Sequence, residues 1–189
     1  KERLIETLNS FVNPFNQDDE EGITDFNTSV VAWNGNLQRL IIDEVRNFNI
    51  KQFEQLEHII DGIVDENGKF VGKVKAFGEW HNEIKVPPKS NYRMRKDTKF
   101  GEFKIRLGTF EVIRQNSSLS DELYSNFFEM RKYFGGVMVF RDDLRVMPYG
   151  REDNDFFEIE KRRSKNAGAF VFTNRSCFGG VYITKSSNP

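Results

Sequence analysis

Cysteine, histidine and long apolar runs are all scarce in this chain of 189 residues. The single cysteine, Cys177, excludes a disulfide within the chain, so a reducing compartment such as the cytoplasm is the expected location. No apolar run approaches the ~18 residues that a membrane-spanning helix needs, so no membrane partner is expected. The formal net charge of −1 predicts no general preference for nucleic acid either.

Motifs for metals, nucleotides and covalent catalysis are missing as well. His58, His81 and Cys177 show no close spacing of the kind that zinc sites use. The sequence has no Walker loop and no Gly-x-Gly-x-x-Gly turn. No nucleophile stands beside a base in a known arrangement. We therefore expect the chain by itself to be no enzyme and to hold no cofactor.

Phenylalanine, by contrast, is abundant, with 19 residues. Hydrophobic residues make up 38% of the chain and charged residues 30%, which is typical of a globular domain. So many large apolar side chains are enough to build a substantial core.

The first 50 residues suggest a short leading segment and then the start of a domain. Glu2–Val12 has the apolar spacing of an amphipathic helix. We interpret residues 1–22 as this helix and an acidic linker from a preceding domain, and residues 23–189 as one α+β domain. Ile23–Trp33 predicts a strand. Gly35–Phe48 has helical spacing and predicts a helix.

The middle of the chain predicts a hairpin, a strand and a helix. Phe53–Lys75 indicates a hairpin, because the Asn67-Gly68 pair is a strong turn signal. A long polar segment then runs through Thr98. Phe100–Val112 predicts a strand, and a helix is predicted to begin near Ser120, its cap, and to end at Phe134.

Strand, helix and strand follow one another from Phe100 to Phe140, so this region is interpreted as a βαβ unit with the usual right-handed crossover. Two more strands are predicted over Ala167–Thr173 and Gly180–Lys185. The resulting fold class is α+β, with a mixed sheet and helices on one face.

Gly135–Arg163 is the most informative stretch. Its pattern predicts a strand, a turn at Asp142-Asp143, a second strand, an acidic loop and a basic helix. Asp153, Asn154 and Asp155 are candidate caps for that helix.

A sequence motif within this stretch resembles the second domain of bacterial GHKL ATPases. The motif reads GGV-x-V-F-R-D-x-x-R-V-x-PYG-x-x-x-ND. That superfamily includes gyrase, heat-shock chaperones, histidine kinases and MutL, with MORC-like members close by. The resemblance is strongest over Gly135–Pro189 and weaker over Phe100–Phe134. It implies a transducer domain, truncated at its C-terminal end, with a left-handed βαβ crossover. It also implies that ATP and Mg²⁺ bind in the parent protein, whose ATPase domain and a second copy are the expected partners.

The resemblance also suggests which residues contact the ATPase domain. The interdomain candidates are Arg141, Arg145, Tyr149, Asn154, Arg162 and Arg163. The residue that senses the γ-phosphate is expected beyond Pro189, and Arg175 is the substitute candidate within the chain. Each interdomain interpretation has a purely structural alternative. Arg141 and Arg145 would then belong to an ion-pair network around the hairpin. Arg162 and Arg163 would lie at a solvated helix end, where Glu158 and Arg162 form a pair.

The Lys85–Arg106 segment offers a second function, because it carries eight cations against two carboxylates. A basic loop with interleaved aromatic residues is typical of nucleic-acid contacts. The candidates are Lys89, Arg93, Arg95 and Lys96, and the chain would then be a stand-alone binding module. The alternative is a solvated basic loop with no ligand.

Overall fold

The computed structural model describes residues 13–15, 31–35, 37–40, 48, 50–89, 101–151, 153–165 and 172–188. Within these ranges the chain forms a seven-stranded mixed sheet, a separate two-stranded sheet and three α-helices. This confirms the α+β prediction.

Strands β1 (Val31–Asn34) and β2 (Leu37–Leu40) form the small antiparallel sheet. The predicted helix over Gly35–Phe48 is therefore wrong at β2. Its leucines have helical spacing, but Gly35 adopts a φ of 60° and reverses the chain directly after β1. The helix predicted over Glu2–Val12 lies outside the described residues.

Helix α1 (Ile50–Glu54) leads into three consecutive antiparallel strands: β3 (His58–Val64), β4 (Phe70–Ala76) and β5 (Glu79–Val86). The predicted β3–β4 hairpin is confirmed. Asp65 Oδ1 closes its turn by accepting hydrogen bonds from the backbone N–H groups of Asn67 and Lys69, both at 2.9 Å.

The long polar segment after the hairpin contains a strand, β5, that the sequence did not predict. This strand lies at one edge of the sheet and is exposed along nearly its whole length. An edge strand with little burial needs no apolar alternation, and so the usual sequence signal was absent.

The second half of the chain begins with β6 (Phe103–Thr109) and helix α2 (Asp121–Phe134). Both match their predictions, and Ser120 Oγ caps α2 by accepting a hydrogen bond from Leu123 N at 3.3 Å. The remaining elements are β7 (Met138–Arg141), β8 (Leu144–Arg145), α3 (Ile159–Lys165) and β9 (Cys177–Ile183).

The strand order in the large sheet is β5-β4-β3-β6-β9-β7-β8. Every neighbouring pair is antiparallel except β7 and β9. The βαβ interpretation of Phe100–Phe140 is therefore wrong, because β6 and β7 run in opposite directions with β9 between them. The last strand of the chain inserts between two strands that precede it, which no local pattern reveals.

A cluster of phenylalanines covers one face of the sheet, which we call the core face. Phe178 on β9 is fully buried, with ring centroids 4.9 Å from Phe48 and 6.1 Å from Phe127 of α2. Phe53 of α1 joins the same cluster through Phe48, at 6.2 Å. Helices α1 and α2 therefore pack on the same face, as predicted.

We call β6, β9 and β7 the inner strands, and β3, β4 and β5 the outer strands. The buried cluster lies mainly over the inner strands. Among the helices that the structure describes, none is both long and apolar enough to cross a membrane.

Candidate functional site

The Gly135–Arg163 stretch folds as a hairpin and loop attached to the inner strands. Asp142 and Asp143 form the β7–β8 turn with φ values of 48° and 63°, as a two-residue hairpin turn requires. Asp142 N donates to Ile183 O at 3.1 Å, and Asp142 Oδ1 accepts from Lys185 N at 3.1 Å. The hairpin is thus tied to the end of β9.

Asn174 ties helix α3 to the same strands. Its side-chain Oδ1 accepts a hydrogen bond from Val137 N at 3.2 Å, and its backbone N–H donates to Glu160 Oε1 of α3 at 2.7 Å. Asn174 is almost fully buried. A buried amide that bridges two segments fixes their relative position, because leaving its partners unpaired is costly.

The loop before α3 is ordered by its own acidic side chains. Asp155 Oδ1 accepts from Ile159 N at 2.8 Å, and its Oδ2 accepts from Lys161 N at 3.1 Å. Asn154 Oδ1 accepts from Phe156 N at 3.2 Å. Asp155 thus satisfies two free N–H groups at the start of α3, although the N-cap position itself is Glu158 and not one of the three predicted residues.

Four of the predicted interdomain residues are partly buried, namely Arg141, Arg145, Tyr149 and Asn154. The Arg145 guanidinium donates to Tyr149 O at 3.2 Å, and burial, with a smaller contribution from nearby Arg151, lowers the pKa of Arg145. The Arg141 guanidinium donates to Asn188 O at 3.2 Å. Arg145 therefore holds a carbonyl of the loop, whereas Arg141 holds a carbonyl of the segment after β9.

An aromatic cluster stands on this loop. The Tyr149 and Phe156 ring centroids are 4.9 Å apart, and those of Phe156 and Phe157 are 5.2 Å apart. Phe156 nevertheless remains 62% exposed, and Leu144 and Met147 are exposed nearby in the sequence. We call Tyr149, Phe156 and Phe157 the aromatic loop surface.

The remaining predicted residues, Arg162, Arg163 and Arg175, are exposed. Arg163 pairs with Glu160 at 3.6 Å, and Arg151 pairs with Asp153 at 3.1 Å. Glu158 forms its ion pair with Lys161, whose hydrogen bond and charge lower the Glu158 pKa, with a lesser effect from Arg162. The extended ion-pair network that the sequence suggested around the hairpin is reduced, among the described residues, to short local pairs.

Sequence reasoning missed Phe156 as an exposed apolar member of this surface. The available signal was two adjacent phenylalanines inside an acidic loop, directly after Asp155. Apolar residues at such a position are unexpected unless something covers them.

No protein-family model, curated protein or solved structure matches this chain.

The candidate nucleic-acid residues are only partly described. Lys89 is exposed, directly after the strand β5 and two prolines. Arg93, Arg95 and Lys96 lie outside the described residues. Lys85, Lys104 and Arg106, from the two ends of the same basic segment, lie on strands of the large sheet.

Glu57 is the most buried carboxylate in the described ranges, at 2% exposure. It accepts hydrogen bonds from Glu111 N at 2.8 Å, from Ser118 N and Oγ at 2.5 and 2.7 Å, and from Ser117 Oγ at 3.1 Å. Burial by itself raises the Glu57 pKa, but these bonds outweigh it and lower the pKa below its usual value. A carboxylate with so many donors acts as a structural anchor for the loop before α2.

Cys177 is buried on β9, and burial raises the pKa of its thiol to about 12. It therefore has little thiolate and is not a nucleophile. In the part of the chain that the structure describes, no group of three or more His, Cys, Asp or Glu side chains is placed to hold a metal ion.

Proposed function

We propose that this chain is the transducer domain of a longer GHKL-type ATPase, placed beside the ATP-binding domain and coupling nucleotide state to dimerisation or partner binding. One observation carries the proposal. The stretch that resembles the family motif displays an exposed aromatic cluster with arginines on the adjacent loop and helix, and all of it is anchored to the inner strands.

The aromatic loop surface has the composition of a protein interface. Aromatic and arginine side chains dominate the binding energy of such surfaces. Phe156 is held against two other rings and follows a capped loop, so little side-chain freedom is lost when a partner covers it. An exposed apolar cluster of this kind is unfavourable in water without a partner.

The anchoring gives a physical route for coupling. Asn174 links α3 to the start of β7, and Asp142 links the hairpin to the end of β9. Beyond β9, Asn188 accepts from Gly101 N at 2.9 Å and from Arg141. A displacement of the loop is therefore passed to the chain that follows β9, and coupling requires two such arrangements with different affinity for ATP.

The first test is the gene sequence on both sides of this chain. The proposal expects an upstream helix that bears Glu and Asn, then Asp-x-Gly-x-Gly, and a cation-bearing motif downstream. A start codon close to Lys1 and a stop codon directly after Pro189 would refute it, because no ATP site would then exist for this domain to serve.

The second test measures ATP turnover of the intact protein. Phe156→Ala and the double charge reversal Arg162→Glu/Arg163→Glu should each lower turnover about fivefold or more, the effect of losing roughly 1 kcal/mol at an interface. Lys51→Glu/Lys132→Glu is the control, because both lysines are exposed on other helices. Equal turnover in all three variants would remove the aromatic loop surface from the mechanism.

A further inference from the structure

The register of the large sheet aligns cations on the core face of the outer strands and of the neighbouring inner strand β6. One row runs Lys73, Asp61, Arg106 from β4 through β3 to β6. The next row runs Lys85, Val71, Ile63, Lys104 from β5 to β6. Neighbouring strands are ~4.8 Å apart, so Lys85 and Lys104 stand roughly 14 Å from each other.

The first row marks the boundary of the core. Phe53 and Leu56 cover the position of Gly108, and the Arg106 guanidinium lies 4.6 Å from the centroid of the Phe53 ring. The Arg106 side chain is 8% exposed, and its Nε has no hydrogen-bond partner among the described residues. Asp61 Oδ2 is 3.9 Å from this Nε, too far for a hydrogen bond.

The second row is open to solvent. Ile63 and Val71 are 43% and 42% exposed, and Lys85 and Lys104 are exposed at either end. Water-exposed aliphatic side chains between lysines form a mixed surface that is favourable for a ligand with both charge and apolar area.

Trp80 adds an aromatic ring to this surface. Trp80 on β5 pairs with Lys75 on β4, one row away from the row of Lys73, Asp61 and Arg106, and it remains 40% exposed. The Lys73 ammonium lies 4.7 Å from the Trp80 ring centroid and covers one side of it. The indole is thus held by a cation and retains exposed aromatic area.

We propose that this surface, consisting of Lys73, Trp80, Lys85 and Lys104 with Ile63 and Val71, binds single-stranded nucleic acid. Lysines along a sheet match a phosphate backbone, while an exposed indole and aliphatic side chains match unstacked bases. A duplex hides the faces of its bases and could not use Trp80. The site is independent of the aromatic loop surface and does not rest on the transducer proposal.

The charge balance is local, since the whole chain carries −1. Three exposed cations of the two rows stand against one carboxylate, Asp61, which pairs with Lys73 at 3.9 Å. Three phosphate contacts predict that affinity falls roughly 20-fold between about 50 and 200 mM salt, from the single-strand slope of about 0.7 per contact.

The experiment uses the full chain and a fluorescent oligothymidine of about 12 nucleotides, within the range of single-strand sites. Fluorescence anisotropy is measured across the salt series. Lys85→Glu/Lys104→Glu should abolish measurable binding, and Lys132→Glu/Lys161→Glu, also exposed lysines, should leave it unchanged. Absence of binding by the unaltered chain at low salt overturns the proposal.

Two single substitutions separate base stacking from plain charge attraction. Trp80→Ala should weaken binding about fivefold or more at constant salt slope, because a stacked base is lost. Asp61→Asn should strengthen binding several-fold, because it removes the one repelling charge and frees Lys73.

Competition and a second charge variant complete the test. Heparin or duplex DNA that competes as well as oligothymidine, with no effect of Trp80→Ala, would show a general polyanion surface and overturn the proposal. It would also fail if Lys89→Ala/Arg93→Ala/Arg95→Ala/Lys96→Ala removed binding while Lys85→Glu/Lys104→Glu did not. The ligand would then belong to that segment and not to the sheet.

Discussion

The inner and outer strands belong to one sheet but differ in what covers them. Over β9 the core face carries Phe178, which is fully buried among rings from α2 and from residues 15, 48 and 53. Two rows away on the same face, Ile63 and Val71 are more than two-fifths exposed. The change occurs at Asp61 and Arg106, where the last covering ring, Phe53, ends.

This difference suggests that the inner strands mainly stabilise the fold and that the outer strands are available for recognition. Burial of large aromatic side chains supplies most of the favourable free energy of folding, and it is concentrated over the inner strands. Apart from Ile59 of β3, which belongs to the buried cluster, the outer strands are held mainly by backbone pairing, in which only β3 contacts β6. Their exposed side chains are therefore available to a ligand. The aromatic loop surface is likewise attached to the inner strands, through Asn174 and Asp142.

The largest effect is expected from a substitution in the phenylalanine cluster that covers the inner strands. Phe178→Ala should lower the free energy of unfolding by about 3–5 kcal/mol, because a fully buried ring leaves a cavity at the centre of the cluster. Val71→Ala, on the open half, should cost less than about 1 kcal/mol. Urea unfolding followed by circular dichroism measures both, and similar losses would contradict the division of the sheet.

A smaller effect on the free energy of unfolding is expected at Glu57, which directly precedes β3, the outer strand that pairs with the inner strand β6. Glu57→Gln should cost about 1–3 kcal/mol at neutral pH, since an amide cannot accept all the hydrogen bonds that the carboxylate accepts. Glu66→Gln, in the exposed β3–β4 turn, is the control and should have little effect.

The lowered pKa of Glu57 also sets a pH dependence. The unfolded carboxyl binds its proton near pH ~4.3, whereas the folded one binds it only at lower pH. The stabilisation by Glu57 is therefore complete above that value and is lost as the pH falls through the folded pKa. The difference in unfolding free energy between Glu57→Gln and the unaltered chain should shrink with acidification, and a constant difference would contradict the anchoring role.

The last prediction concerns the reactivity of a cysteine thiol, which is compared between β9 and β4 and does not depend on a change in stability. With a thiol pKa of about 12, Cys177 should react with a thiol reagent about a thousandfold more slowly than an ordinary exposed cysteine, even before occlusion is counted. Cys177→Ser/Val71→Cys places the probe on the open half and should react at the ordinary rate. Equal rates in the two proteins would show that β9 opens as easily as β4.

Local signals in the sequence predicted much of the fold. The Asp65–Gly68 turn, the Ser120 cap and the Asp142-Asp143 turn each appear where the residues indicated, because a turn or cap depends on a few neighbouring residues. The hairpin at Gly35 and the edge strand β5 were missed. In the first case two leucines imitated helical spacing, and in the second an exposed strand left no apolar pattern.

The candidate sites were less accessible to sequence reasoning. The sequence identifies the motif stretch and its arginines, but the structure gives them different places. Arg145 holds the loop and Arg141 holds the segment after β9, whereas Arg162 and Arg163 are exposed. Phe156 was overlooked, since exposure of an apolar side chain is a property of the folded surface. The basic surface of the outer strands joins Lys73 to Lys104 only because β4, β3 and β6 pair in one register.

Local patterns are enough to place strands, turns and helices over most of the described chain, because these elements depend on spacing, caps and turn residues close in the sequence. Long-range packing, in contrast, places β9 between β6 and β7, and makes the phenylalanines cover one part of the core face and leave cations on the other. Strand order and coverage depend on contacts between residues far apart in the sequence, where the hydrophobic effect favours burial but does not specify which partner provides it.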